Sequence, residues 1–114
     1  MIALTTTQRQ LELDLTASSS VPISIIVCFR DIRYATGQID SYGEQLSNSN
    51  GTSDVIICSP PTAGVLRLIE TVTISNSNNG SSVTARVYYD ENGTEYDIVK
   101  VTLSSGDTLM YEDD

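Results

Sequence analysis

The residues best suited to chemistry in this chain are four carboxylates grouped around one short turn. They flank Asn-Gly at residues 92 and 93 in the segment YYDENGTEYDIV, and they are Asp90, Glu91, Glu95 and Asp97. A pair of carboxylates hydrolyses glycosides when burial raises the pKa of one member, which then acts as the general acid. Acids beside an Asn-Gly turn are expected to be solvated. The segment therefore does not predict a glycosidase.

The same carboxylates offer the oxygen ligands that calcium prefers. In DENGTEYD the glycine stands fourth, counting from Asp90. An EF-hand loop instead has its glycine in the sixth position and ends in a bidentate glutamate. The spacing predicts no dedicated metal site, although it leaves incidental calcium binding open.

Nucleophilic catalysis has no obvious candidates. Ser-His-Asp and Cys-His constellations need a histidine, and the chain has none. Neither G-x-x-x-x-G-K-[ST] nor G-x-G-x-x-G, the phosphate-binding motifs, occurs in the sequence. Cys28 and Cys58 lie in the apolar runs SIIVCF and VIIC, which favours buried thiols over a disulfide, and two cysteines are too few for structural zinc. We expect neither enzymatic activity nor a cofactor.

The charge balance restricts the possible partners. Fifteen acidic and six basic residues give a formal net charge of -9. Nucleic acids and anionic membrane surfaces are bound by clustered lysine and arginine, so we expect neither as a partner. The acidity indicates either solubility or complementarity to a basic patch on another protein. The opening MIALTTTQRQ does not read as a secretory signal, which predicts a protein made in a cytosol.

Alternation with a period of two residues is the main structural signal. In RQLELDLT, Leu11, Leu13 and Leu15 point one way, and VTARVYY and YDIVKVTL alternate similarly. SVPISIIVCFRDI is apolar on one face and mostly apolar on the other up to Arg30, which predicts a central strand with Pro22 at its entry or at an edge position. A helix can be drawn through VLRLIE, but the Thr-Val-Thr-Ile that follows favours a strand. We predict an all-β chain, an antiparallel β-sandwich or jelly-roll-like single domain over residues 1–114.

Two stretches interrupt this pattern. Residues 31–54 are rich in Gly, Ser, Asn and Asp, and are predicted to form a long loop, which in a compact domain is usually functional or mobile. Residues 1–8 are predicted to form an extended N-terminal arm, because a short strand-like IALT precedes the first regular strand.

Five segments, taken in order, carry a resemblance to a known group of proteins. They are LELDLTAS, CFRDI, NSNGTSDVIICSPP, RLIETVTISNSN and the closing NGTEYDIVKVTLSSGDTLMYED. Together they resemble small virion proteins of tailed bacteriophages, whose closing hairpin is similar to GTEY-x-I-x-K-x-TL-x-x-G-x-TL-x-Y. The similarity covers nearly the whole chain, and its motifs are turns and strands rather than an active-site signature.

The resemblance implies a β-sandwich part of a phage virion, made in the host cytoplasm. A position on the head surface is favoured, as a cement or decoration protein that bridges major capsid protein subunits and stabilises the head. Other virion proteins are further possible partners. We expect a homo-oligomer, with a trimer favoured, in which the N-terminal arm pairs with the edge strand of a neighbouring subunit. The alternative is a tail, spike-base or fibre-associated adaptor or carbohydrate-binding module, against which stands the absence of Trp.

Loop position and composition give a set of candidate partner contacts. Two belong to the predicted arm, two are arginines at the end of the central strand, and two are loop tyrosines, which are common interface anchors. A lid over the edge of the core is the alternative role for the tyrosines. The six candidates are Ile2, Leu4, Arg30, Arg33, Tyr34 and Tyr42.

Overall fold

The regular elements of this protein are β-strands throughout the part that the computed structural model describes, residues 1–77 and 80–113. The predicted all-β class is therefore confirmed. The strands are β1 (Ile2–Leu4), β2 (Arg9–Leu15), β3 (Ser24–Arg33), β4 (Ile39–Asn48), β5 (Val55–Cys58), β6 (Val65–Ser75), β7 (Val83–Glu91), β8 (Thr94–Leu103) and β9 (Thr108–Glu112).

The strands form two antiparallel sheets. Sheet A has the order β1-β6-β3-β4, and β9 pairs with β6 along the same edge as β1. Sheet B has the order β5-β2-β7-β8. Consecutive strands pair only in the β3–β4 and β7–β8 hairpins, within the described chain, and the other connections cross between sheets. The architecture is the predicted β-sandwich.

The core lies between the two sheets, where the leucines of β2 are buried as their alternation predicts. The exposed fractions of Leu11, Leu13 and Leu15 are 0%, 0% and 3%. Burying one such side chain contributes about 1.5–3 kcal/mol, so this layer is the main source of stability. The inward side chains of sheet A that belong to the same core include Ile25, Val27, Ile69, Val72 and Ile74.

β3 is a central strand, as predicted, since it lies between β6 and β4. β6 is also a strand over its whole length, which confirms the strand interpretation of VLRLIE. The register between β3 and β6 shifts at Cys28/Phe29, so that Glu70 is an extra residue in β6. This bulge allows Ile69 and Val72 to face the core together, although they are three positions apart.

The prediction of a long loop over residues 31–54 is wrong. β3 continues to Arg33, and β4 pairs with it antiparallel from Ile39 to Asn48. The register places Gly43 and Gln45 opposite Phe29 and Val27 on the inward face. β4 therefore lacks the alternating apolar side chains by which a strand is recognised.

Gly43 has a steric role in this strand. A Cβ atom at this position would lie 2.6 Å from Cζ of Phe29, because the phenyl ring covers the glycine. The guanidinium of Arg67 lies on the same ring, with 4.0 Å between its central carbon and the ring centre, and forms a two-fold ion pair with Asp31 at 2.9 and 3.0 Å. One end of the sandwich is thus closed by an aromatic ring and an ion pair.

The β7–β8 connection is the tight turn that the sequence predicts. Asn92 and Gly93 have φ angles of 54° and 90°. Two consecutive residues with positive φ form the turn whose twist matches that of the flanking strands. Gly93 N–H also donates a hydrogen bond to Oδ1 of Asp90 at 2.9 Å.

The prediction of an extended N-terminal arm over residues 1–8 is wrong for its strand-like part. β1 pairs with β6 of the same chain, and the side chains of Ile2 and Leu4 are buried, with exposed fractions of 7% and 0%. Two tyrosine hydroxyls hold the strand in place: Ile2 N–H donates to Oη of Tyr111, and Ala3 N–H donates to Oη of Tyr89, both at 3.1 Å. This strand completes the core of its own chain.

Removing one of these hydroxyls tests how firmly β1 is held. Tyr89→Phe leaves Ala3 N–H without its acceptor, and we expect it to lower the free energy of unfolding by about 1 kcal/mol in urea denaturation. Tyr96→Phe is the matched control, because Tyr96 lies directly opposite Tyr89 on β8 and is 52% exposed. Equal stabilities of the two variants would contradict this role.

Candidate functional site

The outer face of sheet B carries a charged cluster centred on Arg86. Its guanidinium binds Asp14 through two hydrogen bonds of 2.7 and 3.1 Å, and reaches Asp97 at 3.0 Å and Glu95 at 3.2 Å. Asp14, Asp97 and Glu95 come from the two strands that flank β7. Arg86 therefore links three strands across this face, and its ion pair with Asp14 lowers the pKa of that carboxyl group.

Tyr88 and Glu12 lie within this charged face but are buried. The exposed fraction of Tyr88 is 0% and that of Glu12 is 5%. The guanidinium carbon of Arg86 lies 4.0 Å from the centre of the Tyr88 ring, and Tyr88 Oη–H donates to Oε1 of Glu12 at 3.0 Å. Gln10 also donates to the same carboxyl group. Burial raises the pKa of both Glu12 and Tyr88.

The four carboxylates that flank the Asn-Gly turn of residues 92 and 93 do not lie together around one point. Asp90 caps the turn at Gly93, and Glu91 accepts a hydrogen bond from Arg9 at 2.8 Å, whereas Glu95 and Asp97 bind Arg86. Each thus has a structural partner. Among the described residues, the carboxylates that could jointly hold a cation are Glu12, Asp54 and Glu95, with one oxygen of each within 4.8 Å of the others.

The outer face of sheet A has a different character. Cross-strand register places Leu46, Ile26, Thr73 and Met110 in one row across β4, β3, β6 and β9. Leu46, Ile26 and Met110 are 66%, 41% and 58% exposed. The neighbouring positions are mainly serine, threonine and asparagine. Apart from the bulge residues Asp40 and Glu70, the charged strand residues that register places on this face are Arg30, Glu44 and Glu112.

Two of the predicted contact residues lie on this face. Arg30 and Tyr42 are directly opposite one another on β3 and β4, and Tyr42 is 68% exposed. Within the described chain Arg30 is the one arginine that forms no ion pair, and its Nε atom is buried without a hydrogen-bond partner. We call Ile26, Arg30, Tyr42, Leu46 and Met110 the sheet A patch.

The other predicted contacts are divided between the hairpin end and the core. Arg33 pairs with Asp40 at 3.0 Å, and Tyr34 Oη–H donates to the carbonyl oxygen of Thr5 at 3.0 Å. Tyr34 remains 56% exposed. Ile2 and Leu4, by contrast, are buried inside their own chain, so their prediction as partner contacts is corrected.

The two open sides of the sandwich differ in polarity. Between β4 and β5, Gln45 closes the gap: its side-chain amide donates to the carbonyl of Ile56 at 3.3 Å and accepts from Ser59 N–H at 2.9 Å. Between β8 and β9 an apolar groove of about 370 Å³ remains open. This edge groove is lined by Met1, Ile2, Val72, Ile74, Val87, Ile98, Val99, Leu109, Met110 and Tyr111.

Sequence reasoning missed Leu46, Met110 and the edge groove. Leu46 lies in the segment predicted as a loop. Met110 can be assigned to the apolar row only when the register between the strands is known. The apolar second face of SIIVCF was the one available signal, because it contains Ile26.

Comparison with known proteins finds no matching family model, no matching curated protein and no matching solved structure. The described residues contain no helix of the length and apolarity that crossing a membrane requires. The geometry of the two faces and of the edge groove is therefore the basis for inferring function.

Substitution of Glu12 tests the electrostatics of the charged face. Burial raises the pKa of Glu12 in the folded protein. The ionisation of Glu12 therefore lowers the free energy of unfolding as pH rises from about 4.3, the pKa of glutamate in an unfolded chain, through the raised pKa of the folded state. Asp14 acts in the opposite sense, since its stabilising contribution is lost as pH falls through its lowered folded pKa.

We expect Glu12→Gln to gain stability relative to the wild type as pH increases across this window, measured by urea denaturation at each pH. Glu44→Gln, at an exposed position on β4, is the control and should follow the wild-type profile. A Glu12→Gln profile parallel to the wild type would refute the assignment.

Alkylation should distinguish the two thiols. Burial raises the pKa of Cys58 to about 11, and its exposed fraction is 0%, so it forms little thiolate. Cys28 lies on the outer face of sheet A and is partly exposed. We expect iodoacetamide to modify Cys28 in the native protein and Cys58 only after unfolding, as read by peptide mass spectrometry. Equal native rates would contradict the burial of Cys58.

Proposed function

We propose that this chain is a non-enzymatic structural protein of a phage virion that attaches to the head as a cement or decoration protein. The sheet A patch docks on major capsid protein subunits, and the charged face of sheet B points to solvent. The observation that carries the proposal is the exposed apolar row that crosses four strands of sheet A, from Leu46 to Met110. The outer face of sheet B instead carries the ion-pair network around Arg86.

The composition of the sheet A patch supports docking. Tyrosine and arginine are enriched among the residues that dominate binding energies, and methionine adapts to irregular surfaces. The row from Leu46 to Met110 spans the full width of sheet A, so that one flat partner surface contacts four strands at once. Arg30, which has no ion-pair partner within the described chain, is free to pair with a carboxylate on the capsid side.

The charged face suits exposure to solvent. Arg86 neutralises part of its carboxylates internally, while the net charge of -9 keeps the protein soluble before assembly. Many identical copies on one shell turn a modest interface into firm attachment through avidity. A trimer at three-fold positions between capsomers fits this arrangement and stays a prediction.

A second candidate function is carbohydrate or receptor binding as part of a tail, spike base or fibre. The observation that favours it is the exposure of two tyrosine rings on one hairpin, Tyr34 at 56% and Tyr42 at 68%. Exposed aromatic rings stack on sugars. Binding to a glycan array that is lost in Tyr42→Ala would support this alternative over head attachment.

Paired substitutions on the two faces test the docking surface. Leu46→Lys charges the sheet A patch, whereas Ile56→Lys places the same charge at a 44% exposed position of β5 on the outer face of sheet B. We expect Leu46→Lys to weaken attachment to particles at least about tenfold and Ile56→Lys to leave it unchanged. Copies per particle are counted by cryo-electron microscopy and gel densitometry, after circular dichroism confirms that both variants fold.

Density for the wild-type protein between capsomers would support the proposal, and alkylation of Cys28 should then be slower on particles than in the free protein. Density on tails, or equal loss of attachment in both variants, would overturn it.

A further inference from the structure

The edge groove lies between two strands whose outer edges are unpaired in the described part of the chain. β8 ends sheet B and β9 lies at the edge of sheet A. We propose that the groove accepts an extended segment of a partner protein. This segment pairs with β9 as a further strand of sheet A, places alternate apolar side chains in the groove and carries a basic residue opposite Glu112. The groove shares Met110 with the sheet A patch, but the inference does not rest on docking through that patch.

β9 is the better template of the two edges. β8 has a register shift opposite Val87/Tyr88, and it carries Asp97 and Lys100, side chains of the kind that protect edge strands from pairing. β9 pairs regularly with β6 from Thr108 to Glu112, without a shift. An added strand would therefore meet five consecutive residues in a uniform register.

The groove defines the inward side chains of the added strand. Its lining is apolar apart from the hydroxyl of Tyr111, and Val99 is 40% exposed on the β8 side. Leu109 and Tyr111 are the inward residues of β9, because they lie opposite the core residues Ile74 and Val72. Side chains placed opposite Leu109 and Tyr111 would enter the groove, so both must be apolar.

The outward residues of β9 define the remaining positions. Thr108 and Met110 are uncharged, whereas Glu112 ends the strand and Asp113 follows it. A lysine or arginine opposite Glu112 complements this charge, and the net charge of -9 favours a basic segment in general. The occupant is thus an extended segment that alternates apolar residues with at least one basic residue.

A second copy of this chain is a poorer occupant. Pairing β9 with another β9 about Met110 would place Glu112 opposite Thr108, which leaves both glutamates without a cation. The strand-like N-terminal segment is not available either, since β1 is buried in its own chain. Charge complementarity therefore points to a different protein.

A short peptide provides the test. The probe is the acetylated, amidated and fluorescein-labelled heptapeptide serine-lysine-valine-isoleucine-valine-threonine-serine. In antiparallel register its lysine meets Glu112 and its two valines meet Tyr111 and Leu109. We expect saturable binding by fluorescence anisotropy, and slower amide hydrogen exchange in β9 but not in β4.

Two N-methylated peptides separate strand pairing from apolar contact. One is methylated on the two valines, and the other on lysine, isoleucine and threonine. Because alternate amides face β9 in a paired strand, one peptide should lose binding and the other keep it. Equal binding of both peptides would overturn strand addition.

Protein variants locate the binding site. Val99→Lys charges the groove and should weaken peptide binding at least about tenfold, whereas Thr102→Lys on the outer side of β8 should not. Glu112→Lys should weaken binding of the lysine peptide and spare a peptide with glutamate in its place.

Equal effects of Val99→Lys and Thr102→Lys would overturn the site, as would dimerisation through β9 in analytical ultracentrifugation without peptide binding. None of these outcomes changes the expected effect of Leu46→Lys on attachment to particles. Strand addition at the groove and docking through the sheet A patch can therefore be refuted separately.

Discussion

Burial of apolar side chains between two sheets is the constraint on which the rest of this structure depends. β2, β3, β6 and β7 supply the opposing layers, and each presents apolar side chains inward at every second residue, except where the bulge at Glu70 interrupts β6. The outer faces are then free to differ. Sheet B uses its outer face for a network of charges around Arg86, whereas sheet A has an apolar row that nothing in the described chain covers. The chemical contrast between the outer faces is compatible with the inner requirement that both sheets share.

The network on sheet B shows how a polar face can be rigid. Tyr88 has the alternation of an exposed residue, yet Arg86 covers its ring and its hydroxyl binds Glu12. A buried carboxyl group and a buried phenol are tolerated because each satisfies the other, and because Arg86 is held by Asp14. The cluster thus joins β2, β7 and β8 by side chains in addition to backbone pairing.

Period-two alternation was sufficient to predict β2, β3 and β7, and with them the sandwich. β4 is not predicted as a strand, because its inward positions are polar or glycine. The ring of Phe29 leaves no room for a side chain at the glycine, and Gln45 forms hydrogen bonds that close the gap to β5. Of the sheet A patch, the sequence predicts Arg30 and Tyr42 as contacts, from loop position and composition. Leu46 and Met110 are not predicted, since only register across four strands reveals that they share a row. The placement of β1 depended on hydroxyls more than eighty residues away, which no local pattern encodes.

The position of β1 also constrains the order in which the protein folds. β1 pairs with β6 and donates hydrogen bonds to the hydroxyls of Tyr89 and Tyr111, which lie on β7 and β9. Ile2 and Tyr111 are separated by 109 positions. The site that receives β1 is therefore complete only when strands from both sheets have come together. Contacts this distant in sequence slow folding, because the chain must close long loops before it gains them.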